Sequence, residues 1–450
     1  MKRLFKKFSQ SYWLRSGAFK LFERASIVIF GFIAYYALVR HTSKEEFGTW
    51  GVFLMLTGFI EQFRYGFISN GLVRYLNHTD SREDYIRVET GALSLNITVT
   101  VLISAFLWTC SDWIGAVTNA PLISPMLQIY AFLNFLMVPV FHLEMMQRAN
   151  MDFKGSSLGQ FANKGLYSLL LIGYIFYYQA VSLTEVVMLQ GVGIIAGTFI
   201  TYYYGSKYMS FTWRFSFSTL KEQLNYGKYT FGTFISAYMM RNIDSWMLTA
   251  LLGPTAVAPY VLALKISNIF EVPANTVSQV IFPKMVRAIK EEGIKAARPY
   301  YEKSVAILFA VMLPFVGFTL LFAPQIVTFI GEIRYAEAIP VLQITVLYGL
   351  LLPLDKQVGV MLDATGKQKM NTLFVLRNAV LNIVLNYIYI TNMGLIGAAL
   401  ATLTTYIISV ILNQIYVGRT FNVSTVNYFK YIGSSYMKAW GMLNKRLKAL

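Results

Sequence analysis

Apolar runs about as long as a bilayer is thick recur along the whole chain, separated by short polar segments. A spanning helix needs about 20 such residues. The pattern predicts helices at 21–39, 47–70, 90–109, 124–147, 165–183 and 186–204. A second set follows at 229–252, 255–282, 304–330, 338–362, 370–391 and 394–417. The expected fold is therefore all-α and polytopic, with about twelve transmembrane helices. A longer polar connection over 205–228 separates an N-terminal six-helix lobe (1–204) from a C-terminal one (229–417). Thr219 and Glu222 in that connection form a capping-box pattern. Residues 418–450 form a basic tail in which Phe429, Ile432, Tyr436, Trp440, Leu443 and Leu447 recur at three- and four-residue spacing, as in a helix lying on the cytoplasmic leaflet.

Charges inside the apolar runs change this picture from a list of spans to a candidate site. The stretch 220–287 carries Arg241 and Asp244 in one run and Lys265 and Glu271 in the next, with Gly253 and Pro254 between. A charge at mid-bilayer costs roughly 2.5–3.5 kcal/mol, whereas each Leu, Ile, Phe or Val contributes only about 0.3–0.6 kcal/mol in favour. Such helices require their charges to pair, face other helices or line a wet cavity. Span one adds Glu23 and Arg24, span two Glu61 and Arg64, span ten Asp355 and Lys356, and span eleven Arg377. Glu61 and Arg64, like Arg241 and Asp244, stand three residues apart on one helix face, so self-neutralised pairs are one reading. A central polar cavity is the other, and the recurrence of charges in both halves favours it.

By sign the deep set is basic: Arg24, Arg64, Arg241, Lys265, Lys356 and Arg377. That lining suits an anionic substrate, since arginine makes bidentate contacts to phosphate. Glu23, Glu61, Asp244, Glu271 and Asp355 are the candidates for charge pairing or ion coupling, with protons or sodium as the coupling ion. A buried carboxylic acid can carry a proton because desolvation favours its neutral form.

Composition agrees with the membrane assignment. The 450 residues are 56% hydrophobic and only 14% charged, against about 25% charged in a soluble domain. The net charge of +17 would suggest nucleic acid if it were clustered. Instead thirty of the 39 Lys and Arg residues fall in alternate loops and the termini. The opposite loops hold only Arg40, Lys44 and Arg334. By the positive-inside rule both termini are cytoplasmic in an inner, plasma membrane. The basic excess is then topology signal and contact with anionic membrane lipid, and no nucleic-acid module is expected. The basic N-terminus before span one is read as retained rather than cleaved. Cys110 is the only cysteine, which excludes an intramolecular disulfide, and no metal site or cofactor is expected. His41, His78 and His142 are read as ordinary interfacial residues. There is no Gly-rich phosphate loop, nucleophile elbow or ATPase domain, so a transporter is expected rather than an enzyme.

The halves show a faint repeat: sliding 47–74 onto 257–284 aligns Glu61 with Glu271 and Arg74 with Lys284. A wider resemblance rests on Leu252-Gly253, Tyr260 and Ala263-Leu264-Lys265, on Phe282-Pro283, on Gly394 to Ala399, and on Glu46-Phe47-Gly48 through Gly71-Leu72 to Arg74-Tyr75. In these the chain resembles the bacterial polysaccharide transporters, the oligosaccharide flippases of the multidrug/oligosaccharidyl-lipid/polysaccharide superfamily. Pro259 stands where the family usually has glycine before the tyrosine. The resemblance implies two six-helix lobes around a central cavity and alternating access. It also implies a polyprenyl-diphosphate-linked oligosaccharide, moved from the cytoplasmic to the outer leaflet for O-antigen, capsule or lipopolysaccharide biosynthesis, with polysaccharide assembly proteins as further partners. Basic residues in the first, second, seventh and eighth helices then point at Arg24, Arg64, Arg241 and Lys265. The alternatives are a cation-coupled multidrug or toxin exporter, whose lining should be acidic, and a polymerase or ligase, which should carry a large external loop.

Overall fold

The computed structural model describes residues 12–76, 81–210, 238–239, 241–424, 427–428, 431–433 and 437. The Thr219/Glu222 capping pattern, the start of span seven, His78 and most of the amphipathic tail lie outside the described residues. All of the described regular structure is helical.

The helices are α1 (Tyr12–His41), α2 (Lys44–Leu76), α3 (Arg82–Val117), α4 (Ile123–Ala149), α5 (Lys154–Tyr178) and α6 (Leu183–Gly205). Then come α7 (241–252), α8 (Pro254–Ser267), α9 (Glu271–Glu292), α10 (Ala297–Leu321) and α11 (Ala323–Gly331). The last are α12 (Ala338–Ala364), α13 (Gln368–Met393) and α14 (Leu395–Phe421). Among the described residues, nine helical segments are long and apolar enough to cross a membrane. The helices α2 and α5 are long enough but more polar, and the described part of α7 is short.

Two expected spans are interrupted. The run 255–282 is α8 and α9, joined by a single 3₁₀ turn at Asn268–Phe270. The run 304–330 breaks at Phe322, which ends α10 and precedes Pro324 in the first turn of α11. Proline lacks the N–H that an uninterrupted helix would require there. Several helices also begin earlier than hydropathy suggests: α1 at Tyr12, α3 at Arg82, α5 at Lys154 and α10 at Ala297. Ser81 fixes the start of α3 by accepting the Asp84 N–H, and Ser182 with Glu185 makes a full capping box for α6. Between α7 and α8, Gly253 takes φ +80°, a conformation that only glycine adopts without strain.

The chain divides into two compact units. One comprises Met1–Asn242 with Gly253–Ala258, the other Ile243–Leu252 with Pro259–Leu450. Within the first unit, α5 and α6 meet along a glycine seam. A Cβ at Gly197 would stand 2.8 Å from the Gly159 carbonyl and 2.9 Å from Asn163 Cβ, and one at Gly193 would stand 2.6 Å from the Asn163 carbonyl. Gly193 and Gly197 form the G-x-x-x-G spacing that lets helix backbones approach in lipid, where dispersion and weak polar contacts replace the hydrophobic effect. One end of the same unit packs Ile68, Leu72, Leu76, Ala92, Leu95, Phe141, Met145, Met146 and Ala149 into one cluster. The second unit has a corresponding cluster around Met285, Tyr301, Val305, Val358, Met361, Val417, Phe421 and Tyr428.

The seam gives the first test. Gly197→Val should lower the thermal unfolding temperature by several degrees, the effect of about 1–3 kcal/mol of overpacking. Gly173→Val, at a position with nothing within 4 Å of the added Cβ, should leave it unchanged. Equal melting of both variants would mean that the seam is not tight.

Candidate functional site

Polar and ionisable side chains inside the spans collect in three places, two of them in the second unit. The first surrounds Asp244 on α7. Its carboxylate accepts hydrogen bonds from Tyr260 Oη of α8 at 2.8 Å, from Thr402 Oγ1 of α14 at 2.6 Å and from Asn386 Nδ2 of α13 at 2.6 Å. Asn382 extends the shell, donating to Thr402 Oγ1 at 3.2 Å. Asn386 is fully buried, and Asp244 and Asn382 nearly so. These bonded donors are neutral, so the shell solvates the carboxylate through dipoles, which is how a buried ionisable group is kept tolerable. The helical register puts this together: Asn382 and Asn386 lie one turn apart on α13, facing Thr402 across the Gly394 turn.

A second network joins α12, α13 and α14. Asp355 accepts from Ser409 Oγ at 2.7 Å and from Asn413 Nδ2 at 3.0 Å. Arg377 reaches the same two residues, donating to Ser409 Oγ at 3.3 Å and Asn413 Oδ1 at 3.0 Å, and to Asn378 Oδ1 at 2.8 Å. Acid and base are therefore joined through shared neutral groups. Next to Asp355, Lys356 donates to Asn275 Oδ1 of α9.

The third place is in the first unit. Arg64 on α2 is 1% exposed. It donates to Thr100 Oγ1 of α3 at 3.1 Å and to Asn134 Oδ1 of α4, and Asn134 in turn donates to Ser104. Glu61 is exposed one turn earlier. Among the described residues no ion pair within 4 Å joins the two, so the internal i, i+3 pairing is not formed. The guanidinium instead ties three helices together.

The remaining expected residues lie differently. Glu23 on α1 is part-buried and accepts from Lys20 Nζ at 2.7 Å and from Ser157 Oγ of α5 at 2.9 Å. Arg24, Arg241 and Lys265 are exposed on α1, α7 and α8, and Glu271 is half-buried at the start of α9.

Three acids were not singled out by sequence, and one histidine lies elsewhere than expected. Glu144 on α4 accepts from Gln160 Nε2 of α5 at 2.7 Å; its signal was a lone acid in an apolar run. Glu89 on α3 is fully buried against His142 Nε2 at 3.4 Å. His142, 2% exposed, is thus a core residue and not the interfacial one expected, because α3 begins early enough to bring Glu89 beside it. Glu302 on α10, 2% exposed, pairs with Arg298 at 2.9 Å. Both Glu89 and Glu302 sit just before the predicted span starts, where hydropathy reads loop.

Comparison with known proteins adds the following. Residues 37–340 match the family described as polysaccharide biosynthesis protein. An uncharacterized membrane protein of Methanocaldococcus jannaschii is 27% identical over 43% of this chain and 38% of its own length. The probable low-salt glycan biosynthesis flippase Agl15 of Haloferax volcanii is 24% identical over 50% of this chain and 48% of its own. The chain thus spans less than half the length of these two relatives. The lipopolysaccharide biosynthesis protein WzxC of Escherichia coli K12 is 21% identical over 86% of this chain and 77% of its own. Among solved structures, an inward-facing multidrug MATE transporter superposes with a TM-score of 0.76 at 16% identity, covering 88% of this chain and 94% of that one. The lipid II flippase MurJ, in an inward closed conformation, gives 0.76 at 15% identity, covering 95% and 92%. The fold is that of these polytopic membrane proteins.

The shared network predicts non-additivity. Asp355→Ala and Arg377→Ala should each destabilise the second unit, and the double variant should fall short of their sum by about 0.5–3 kcal/mol in a thermal unfolding cycle. Strict additivity would show that Ser409 and Asn413 do not couple the two charges.

Proposed function

We propose a function from one premise: the chain belongs to the polysaccharide biosynthesis protein family. In this reading it is a transporter, a flippase that moves a polyprenyl-diphosphate-linked oligosaccharide from the cytoplasmic to the outer leaflet by alternating access. Both termini are then cytoplasmic, a reading that the distribution of Lys and Arg supports.

The observation that carries the reading is the exposure of Arg24, Arg241 and Lys265 within spanning helices. A cation facing lipid in a spanning helix is costly, so each of these side chains is read as facing wet, polar surroundings. Exposed cations in spanning helices suit the diphosphate, the one part of the substrate common to every sugar sequence. The anchors are accordingly Arg24, Arg241 and Lys265. Arg64 offers no surface to a ligand and acts as a tether between helices. Arg377 is engaged with Asn378, Ser409 and Asn413 and supports the second unit. Lys356 is held by Asn275 at the edge of the same region. A cationic-drug exporter, the rival of similar fold, would instead profit from acids at the exposed positions.

Asp244 is assigned to ion coupling. Its shell of hydroxyls and amides can rotate to serve a carboxylate, a carboxylic acid or a carboxylate with a monovalent cation beside it. Protons and sodium are both compatible with that chemistry.

Arg241→Ala and Lys265→Ala should each reduce delivery of lipid-linked oligosaccharide to the outer leaflet at least tenfold, at unchanged protein level in the membrane. Loss of the protein from its host should leave those lipids on the cytoplasmic leaflet. Normal delivery in both variants would remove the anchor assignment. Normal surface polysaccharide in the deletion strain, with raised sensitivity to a cationic drug, would replace the flippase by the exporter.

Asp244→Asn keeps the size of the side chain and removes its charge. In membrane vesicles it should abolish the acceleration of transport by an imposed proton or sodium gradient and leave binding of the lipid-linked substrate intact. A variant that still responds to both gradients would exclude Asp244 as the coupling group.

A further inference from the structure

The two units contain the same construction. In the first unit, Glu89 on α3, the third helix, accepts the backbone N–H of Ser210 at 2.8 Å. Ser210 lies just beyond α6, the sixth helix. In the second unit α10 is the third spanning segment after α7 and the α8–α9 run. Its Glu302 accepts the backbone N–H of Ser424 at 3.0 Å, and Ser424 lies just beyond α14, the sixth. The separation from glutamate to held residue is 121 positions in one unit and 122 in the other.

The correspondence extends to three further features. Each glutamate is at most 2% exposed and has a basic partner, His142 Nε2 at 3.4 Å or Arg298 Nε at 2.9 Å. Each segment carries a tyrosine packed against the apolar cluster at one end of its own unit, Tyr208 in the first and Tyr428 in the second. Each tyrosine hydroxyl then donates to a side chain of its unit: Tyr208 to Asp152 Oδ2 at 2.9 Å, Tyr428 to Gln414 Oε1 at 2.8 Å. The second unit adds Asn427 Nδ2, which donates to Glu302 Oε2 at 2.9 Å.

We infer that Glu89 with Tyr208 and Glu302 with Tyr428 are equivalent clasps, each fastening the segment that leaves the sixth helix onto the third spanning segment of the same unit. The segment after Phe421 is thus the counterpart of the segment after Gly205, and its first residues are a built part of the second unit. The physical basis is the burial of the two carboxylates. An acceptor that has lost its water must be satisfied by the protein, and here a backbone N–H from the departing chain satisfies it. Releasing that N–H would leave charged oxygens buried with fewer partners, so chain and helix are held jointly or not at all. A hydrogen bond to a charged group also exceeds a neutral one in strength. The faint sequence repeat detected for α2 against α8–α9 is consistent with this duplication, and the clasps place it at positions that hydropathy reads as loop. The inference concerns the build of each unit and does not rest on the transported substrate.

Amide hydrogen exchange on the full-length protein in lipid nanodiscs tests it. In the unmodified protein, the amides of Ser210 and of Ser424, Asn427 and Tyr428 should exchange at least tenfold more slowly than an unstructured peptide of the same sequence. Glu302→Ala should restore fast exchange at Ser424, Asn427 and Tyr428 while leaving Ser210 protected, and Glu89→Ala should do the converse. Should Glu302→Ala unfold the unit, seen as loss of protection throughout α10 and α14, Ser424→Pro removes the donated N–H with the glutamate intact. Asn427 and Tyr428 should then lose protection alone. Fast exchange at Ser424, Asn427 and Tyr428 in the unmodified protein would overturn the inference. So would continued protection there in Glu302→Ala or Ser424→Pro.

Discussion

A charge taken out of water must find its solvation inside the protein, and in a membrane there is no other source. This constraint organises both units. Asp244 is surrounded by Tyr260, Thr402 and Asn386, and Arg64 by Thr100 and Asn134. In each case the partners found are uncharged groups drawn from several helices, so the helices that donate them are drawn to a common point. Packing in lipid lacks the hydrophobic driving force available in water. A buried charge with dipolar partners supplies direction and register that apolar contacts between Leu and Ile cannot. Polar residues at these positions therefore build the units as well as equip them.

The same constraint sorts the charges into kinds. Those with bonded shells, such as Arg64, Asp244 and the Asp355–Arg377 network, have their solvation provided by side chains whose distances are short and whose helices are fixed. Arg24, Arg241 and Lys265 are exposed. Exposure in a spanning helix is informative because lipid does not solvate an ammonium or guanidinium. It distinguishes buried charges solvated by side chains from charges at an exposed surface. Composition alone gives both groups the same letters.

Much of the architecture was legible in the sequence, and its omissions have one physical origin. Hydropathy locates the part of each helix that lies in hydrocarbon, and it placed α4, α6, α12, α13 and α14 to within a few residues. It is blind to helical turns standing in the headgroup region or in water, where capping and packing, not lipid, select the helix. The starts of α1, α3, α5 and α10 are such turns, and Glu89 and Glu302 lie in them. His142 was misread for the same reason, since its partner was not yet on a helix. The break at Phe322 was invisible because apolar residues continue through it from Leu320 to Ala323. Site residues were legible as a set of intramembrane charges. Their roles were not, because a tether such as Arg64 and an exposed group such as Arg241 differ only in what surrounds them.

The glycine seam between α5 and α6 bears on how such a protein can diversify. With Gly159, Gly193 and Gly197 pressed against opposing backbone and Asn163, any added side chain at these positions pushes two helices apart. That interface has almost no room for sequence change. Positions such as Gly173 and Gly317, with open space around them, carry no such restriction. A chain of this build can therefore acquire new recognition properties by drift only where its helices are loosely opposed. The α5–α6 pair would persist as an invariant plate while the surfaces around it vary.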